Sequence, residues 1–182
     1  MEPKVILDSR ELNLIFNRLC CELIEIHTDF TDSVIVGLQP RGVAFAKKLV
    51  QMLKEEYEIP NLKYGTLDIT FFRDDFRRRD EPLVASETQM DFLVEGKKVI
   101  LIDDVLYTGR SIRAALDALQ SFGRPTAVDL CVLIDRSYSR HLPIQADFVG
   151  RKVNSLQSEK VKVQWDEEHG ENSVLLMDSK AS

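Results

Sequence analysis

An α/β domain with a mainly parallel central sheet flanked by helices is the fold this sequence predicts, and three observations carry the prediction. Short apolar runs at 33–38, 98–102 and 127–134 alternate with stretches of helical period, the order expected of βαβ units. The chain of 182 residues is 44% hydrophobic and 30% charged, an ordinary balance for one folded, water-soluble domain, here read as residues 1–182. The tail then changes pattern and alternates as a C-terminal β-hairpin.

Taken in order, residues 9–27 place Leu12, Ile15, Phe16, Leu19, Leu23 and Ile26 at helical spacing, with Ser9 positioned to cap the helix. Ser33 to Leu38 is a short apolar strand, and from Val43 to Tyr57 the helical period returns on Phe45, Leu49, Met52 and Leu53. Leu62 to Phe72 is strand-like, because Tyr64, Thr66, Ile69 and Thr70 favour extended backbone. Lys98 to Ile102 is a buried strand and Arg110 to Phe122 a helix, which Gly123 and Pro125 stop in the usual order. Ala127 to Ile134 and Ala146 to Val149 are further strands. In the hairpin, Val161, Val163 and Trp165 face Val174, Leu175 and Met177, with 166–173 and its Gly170 as the connection.

The stretch Arg73 to Phe92 has no sustained period and mixes Arg73, Arg77, Arg78 and Arg79 with Asp74, Asp75 and Asp80. A loop of this length inside a compact domain is either functional or merely solvated, and a lid over an active site is the sharper expectation. The net charge of −6 argues against broad electrostatic attachment to nucleic acid. Cys20, Cys21 and Cys131 form neither a metal spacing nor an even disulfide framework, which predicts a reducing compartment. The sequence starts without a signal-type segment and contains no eighteen-residue apolar run, so the expectation is a cytoplasmic protein with no membrane span.

The chemistry concentrates in Val99-Ile100-Leu101-Ile102-Asp103-Asp104-Val105-Leu106-Tyr107-Thr108-Gly109-Arg110-Ser111. An apolar strand here runs through paired carboxylates and a Thr-Gly turn into a helix. Ligands of parallel α/β sheets bind beyond the carboxyl ends of strands. A helix N-terminus offers unpaired N–H groups and about half a positive charge, which suits a phosphate. Thr108 and Ser111 add hydroxyls, and Gly109 admits close approach of the backbone. Asp103 and Asp104 are acceptors for sugar hydroxyls, or ligands for Mg²⁺. The plain alternative is a strand end followed by a helix capped by Ser111.

These thirteen positions resemble the phosphoribosyl-diphosphate signature of type I phosphoribosyltransferases. The likeness extends to Ile6-Leu7-Asp8, Tyr64 to Thr70, Arg73-Asp74-Asp75 and Glu81-Pro82-Leu83-Val84. It continues through Asp103 to Arg113, Leu119 with Gly123-Arg124-Pro125, Leu133 to Arg136, and Leu142-Pro143-Ile144. Together these segments are similar to the bifunctional pyrimidine operon attenuation regulators, which are also uracil phosphoribosyltransferases.

The resemblance implies a type I phosphoribosyltransferase fold with a flexible hood at about 68–95. It implies synthesis of UMP and diphosphate from uracil and 5-phosphoribosyl-1-diphosphate (PRPP) with Mg²⁺ held by Asp103 and Asp104. It further implies binding of operon-leader RNA when UMP is present. The nucleotide is then expected on Pro40, Arg41, Asp103, Asp104, Val105, Leu106, Tyr107, Thr108, Gly109, Arg110, Ser111, Arg136 and Val161. Arg41 and Arg73 would meet diphosphate and join Asp103 and Asp104 as the catalytic set, with Asp104 nearest the charge on the ribose. Arg10 and Arg18 are the residues left for RNA, because Asn13-Leu14 stands where the regulators often carry arginine. Departures at 137–141, which includes His141, and at 151–156 bear on the base. Two other readings stay open: a mainly RNA-binding regulator, and a purine phosphoribosyltransferase suggested by Asp147 to Gly150 with Lys152. A homodimer or larger homo-oligomer is expected, with exposed Leu14 and Leu106 at the contact.

Overall fold

The computed structural model describes residues 3–74, 85–156, 158–166 and 171–178. Five strands form one sheet: β2 (Ser33–Leu38), β3 (Lys63–Leu67), β4 (Lys98–Leu106), β5 (Ala127–Ser137) and β6 (Phe148–Asn154). Their order is β3-β2-β4-β5-β6, and every pairing is parallel. A second sheet, antiparallel, joins β1 (Lys4–Leu7), β8 (Ser173–Asp178) and β7 (Glu159–Gln164) in the order β1-β8-β7. Three helices complete the frame: α1 (Ser9–His27), α2 (Gly42–Glu55) and α3 (Arg110–Leu119).

The strand period of two sorts side chains into two layers, as a sheet buried on both faces requires. Val34, Val36, Val99, Leu101, Leu130 and Val132 pack with Ala114, Ala115 and Ala118 of α3. Ile35, Ile100, Ile102, Cys131 and Leu133 pack with Phe16 and Leu19 of α1 and Phe45 and Leu49 of α2. Leu7, Val161 and Val174 of the small sheet belong to this second layer, and Trp165 stacks 6.1 Å from Phe16 and 6.4 Å from Phe45. Full burial of a side chain such as Leu7 or Val174 contributes roughly 1.5–3 kcal/mol. The hairpin is thereby fixed to the main core, with its start, Glu159 to Val161, beside the carboxyl ends of the parallel strands.

Several expectations need correction. Asp8, not Ser9, caps α1: its side chain accepts the Glu11 N–H at 2.8 Å while Glu11 accepts the Asp8 N–H at 3.1 Å. Ile26 is exposed, so the buried stripe of α1 ends on Leu23 and His27. The strand expected over 62–72 stops at Leu67 and gives way to a 3₁₀ turn at Thr70–Phe72. The helix expected to reach Phe122 changes to a 3₁₀ turn at Gln120–Phe122 before Gly123. β4 and β5 run past Ile102 and Ile134, because Val105 pairs with Ile134 and Leu106 with Asp135. The last parallel strand lies at Phe148–Asn154 rather than 146–149, and β1 carried no strand expectation.

Leu106 is 1% exposed, packed in the α3 layer, and is unavailable for a subunit contact, whereas Leu14 is 66% exposed. Positions 75–84 of the expected hood and 167–170 of the hairpin connection, with Gly170, lie outside the described residues. The flanks of the hood are described: Thr66 and Gln89 exchange backbone hydrogen bonds at 2.9 and 3.0 Å, so the segment returns beside β3. Among the described residues no helix is long and apolar enough to cross a membrane.

Candidate active site

A cleft of about 1040 Å³ opens at the carboxyl ends of β2, β4 and β5, where a parallel α/β sheet places its ligands. Pro40, Arg41, Arg73, Asp103 through Ser111, Arg136 and Val161 all line it. The candidate substrate residues, far apart in sequence, therefore share one wall system. Arg10 and Arg18 do not line it. Arg10 is exposed on α1, and Arg18 pairs with Glu22 at 2.6 Å while donating to the carbonyls of Val149 and Gly150 at 3.0 and 2.6 Å.

Helix ends give the cleft its polarity. α1, which starts elsewhere, carries a full capping box. α2 and α3 begin on the cleft at Arg41 and Gly109, and neither N-cap residue caps its helix with its own side chain, although the first N–H of α3, that of Arg110, meets Thr108 Oγ1 at 3.4 Å. The Ser111 cap of the plain alternative is thus absent. An uncapped start leaves up to four N–H groups without an intrahelical partner and concentrates the positive end of the helix dipole. Two such ends on one cleft suit a ligand carrying two separated phosphate groups.

Local sequence sets both ends. A Cβ on Gly42 would lie 2.4 Å from the Ile102 carbonyl oxygen and 2.9 Å from the Asp103 Cα, so only glycine lets α2 start against β4. Gly109 has φ +90°, a left-handed conformation costly for other residues. The loop behind it supports the turn: His141 and Leu142 donate their N–H groups to the Thr108 carbonyl at 3.0 and 3.3 Å. Arg140 donates to the Tyr107 carbonyl and to the Asp135 carboxylate.

Asp103 and Asp104 are 9% and 7% exposed. Burial, then the charge of Asp104, holds the Asp103 carboxyl well above the usual range. Burial also raises Asp104, opposed chiefly by the Arg41 guanidinium. Two carboxylates forced together in a poorly solvated place, with one cation nearby, form a pocket that gains from an added positive group. Both acids lie within β4 rather than in a loop after it, so their backbone is fixed by the sheet.

On the opposite wall, Arg136 is 5% exposed and its guanidinium lies 4.0 Å over the Tyr107 ring. Its Nε donates to Ser155 Oγ at 2.7 Å, and Nη2 to the carbonyls of Leu156 and Glu159 at 3.0 and 2.9 Å. Burial lowers its pKa. Sequence reasoning singled out neither Glu159 nor Lys160, which line this wall, since only the pairing of β7 with β8 brings them there. Asp74 and Thr70 also reach the cleft from the hood flank, and Asp74 pairs with Arg110 at 2.5 Å. Both partners of that pair are largely exposed, so it contributes well under about 1 kcal/mol. Lys152 is exposed on β6 and is not among the lining residues. Asp147 accepts the Leu130 N–H at 2.8 Å.

Comparison with known proteins agrees with this geometry. Residues 4–168 match the phosphoribosyl transferase domain family. The bifunctional protein PyrR of Desulfosudis oleivorans is 44% identical over 173 residues, 94% of either chain. That of Geobacter sp. (strain M21) is 43% identical, covering 94% of this chain and 96% of its own. That of Enterococcus faecalis (strain ATCC 47077 / OG1RF) is 39% identical, covering 97% of each. Among solved structures, a hypoxanthine phosphoribosyltransferase of Trypanosoma cruzi superposes with TM-score 0.68 at 14% identity, over 94% of this chain and 95% of that one. One from Staphylococcus aureus gives 0.65 at 20% identity, over 84% and 79%. These two speak to the fold alone. Relatives this similar along nearly their whole length, under a family model spanning almost all of the chain, establish that it belongs to the phosphoribosyl transferase domain family, among the PyrR proteins.

Proposed function

We propose that the protein transfers the 5-phosphoribosyl group of PRPP to uracil, forming UMP and diphosphate. The observation that carries this reading is the pair of uncapped helix starts on one cleft, with two buried carboxylates between them. The N–H groups at the start of α3, with Thr108 and Ser111, would take the 5-phosphate. Arg41 and the start of α2 would take the diphosphate, where a planar guanidinium pairs phosphate oxygens well. Asp103 and Asp104 would accept the ribose hydroxyls. Arg73, from the hood flank, would meet the leaving diphosphate.

The acid pair also fits Mg²⁺, which commonly takes one or two carboxylates and completes its shell with water and substrate phosphates. When bound there, the ion would neutralise charge on the diphosphate. The remaining chemistry belongs to the chain. As the bond from C1 to the diphosphate oxygen breaks, Asp104 stabilises the positive charge growing on the ribose. Uracil N1 forms the new bond to C1, the electrons of the broken bond leave with the diphosphate, and the N1 proton passes to that departing diphosphate. Arg136 and the backbone at Val161 shape the wall against which the base lies.

The likeness of the sequence to the pyrimidine operon regulators, joined to its place among the PyrR proteins, favours uracil over a purine, and the exposed Lys152 offers the purine reading no support from within the cleft. A second activity, binding of operon-leader RNA, rests on the family relationship. Arg10 is the exposed candidate for it, while Arg18 is committed to holding α1 on β6.

The test is diphosphate release with PRPP, Mg²⁺ and each base in turn. Turnover on uracil is expected; turnover confined to hypoxanthine or guanine would overturn the base assignment. Within the enzyme, Asp104→Asn is expected to lower kcat about 10²-fold, the scale of one lost electrostatic contact to a transition state. PRPP binding should be largely kept, and unchanged turnover would remove Asp104 from the mechanism.

A further inference from the structure

We infer that Tyr107 and Arg136 form a positioning pair through which the phosphate-binding loop holds the base-side wall in place. The inference rests on the phosphoribosyl-transfer reading and assigns to Tyr107 a side-chain role distinct from the backbone role of its loop.

The guanidinium of Arg136 has two independent sets of contacts. In its plane, Nε and Nη2 reach Ser155 Oγ and the carbonyls of Leu156 and Glu159, all in the segment that leads into β7. Across its face lies the Tyr107 ring, 4.0 Å from the guanidinium carbon. The ring fixes the tilt of the plane, and the tilt sets the direction of every in-plane donor. The segment held this way closes on itself, since Leu156 donates to the Glu159 carboxylate at 2.6 Å and Glu159 to the Leu156 carbonyl at 3.1 Å. It then delivers Glu159, Lys160 and Val161 to the cleft.

The coupling has a direction. The backbone around Tyr107 has supports of its own: Arg140 on the Tyr107 carbonyl, and His141 and Leu142 on that of Thr108. Removal of the ring leaves those supports standing. On the base side, Arg136 reaches Ser155, Leu156 and Glu159 together with its face against the ring, whereas the Leu156–Glu159 contacts and the pairing of β7 with β8 do not tie that segment to the phosphate-binding loop. Loss of the ring therefore loosens the base side and spares the phosphate side. A residue that merely stiffened the whole loop would disturb both.

The experiment is steady-state kinetics on the full chain for Tyr107→Leu, Tyr107→Phe, Arg136→Lys and the Tyr107→Leu/Arg136→Lys double variant, with thermal melts alongside. Tyr107→Leu is expected to raise the KM for uracil about three- to fivefold, the scale of a contact between a buried guanidinium and a partly exposed ring. The KM for PRPP should move less than about twofold on the same principle. Tyr107→Phe, which keeps the ring, should recover most of the loss. On the Arg136→Lys background the effect of Tyr107→Leu on the base should nearly vanish, as coupled residues require. Equal rises in both KM values, no recovery by Phe, or additive effects in the double variant would each overturn the pair. Should the unsubstituted protein use a different base, the uracil assignment fails by itself, and the same ratios read with that base still decide the pair.

Discussion

The Asp103 carboxylate accepts the backbone N–H of its neighbour Asp104 at 2.9 Å. One acid of the pair thus locks the backbone that presents the other, inside a strand whose pairing with β5 continues on both sides. The arrangement stores unfavourable electrostatics, because burial and mutual repulsion oppose ionisation of Asp103. Asp103→Asn keeps an acceptor oxygen and removes the group whose ionisation burial and Asp104 oppose. At neutral pH the variant is expected to melt higher by about 2–4 °C, the equivalent of about 1 kcal/mol in a chain of this size. Its turnover should fall at least tenfold, on the order of the contribution of one charged contact in an active site. A melt that moves down, with activity kept, would show that Asp103 is a structural residue.

Gly109 provides a second test, on the phosphate side. Its φ of +90° is strained for any L residue, and a Cβ would meet Ile144 at 3.3 Å. Gly109→Ala is expected to cost about 1–2 kcal/mol in chemical denaturation. The larger signal should be functional: tilting the turn re-aims the first N–H groups of α3, so the KM for PRPP rises while that for uracil at saturating PRPP stays near its starting value. A shift confined to the base would mean that this turn does not hold the phosphate.

Much of this site was legible because its chemistry is contiguous. Asp103 to Ser111 carries the acids, the turn and the helix start in nine neighbouring residues, so no tertiary knowledge was needed to place them together. Arg41 and Arg73 were reachable only by resemblance, since an arginine after a strand has no pattern of its own. The errors have physical sources. Carboxylates at the end of an apolar run look like a loop, yet pairing with β5 extends the strand through Leu106. That same pairing buries Leu106, which the sequence offered as a surface residue. Asp8 and Ser9 are both capping types, and Glu11, three residues beyond Asp8, was the available signal favouring the former. Glu159 and Lys160 depend on an antiparallel sheet whose first strand, β1, lies about 170 residues from its partner in β8 and has no local signature, and the Tyr107–Arg136 contact follows from the parallel pairing that sets Leu106 beside Asp135.

Far from the cleft, His27 makes stability depend on pH. It ends α1 with its side chain fully buried, Nδ1 2.9 Å from Ser33 Oγ and Nε2 3.3 Å from the Asp129 carboxylate. The second contact is off-line for a hydrogen bond, so Nε2 is left without a partner of that kind. Burial lowers its pKa from the ordinary 6.5; Asp129 pulls it back up and Lys98 pushes it further down. Phe30 and Phe148, the rings against it, carry no charge to alter that balance. The folded protein therefore accepts the proton at lower pH than the unfolded chain does, and the unfolded chain binds more protons in between. The stabilisation from neutral His27 is complete above about pH 6.5 and is lost as pH falls through the lowered folded value. Melting temperature should accordingly fall between pH 7 and 5. His27→Asn retains a partner for Ser33 and does not titrate; it should melt lower at pH 7 but lose less on acidification. Other acidic groups contribute to both proteins alike, so the difference between the two curves isolates His27. Parallel curves would locate the acid sensitivity elsewhere.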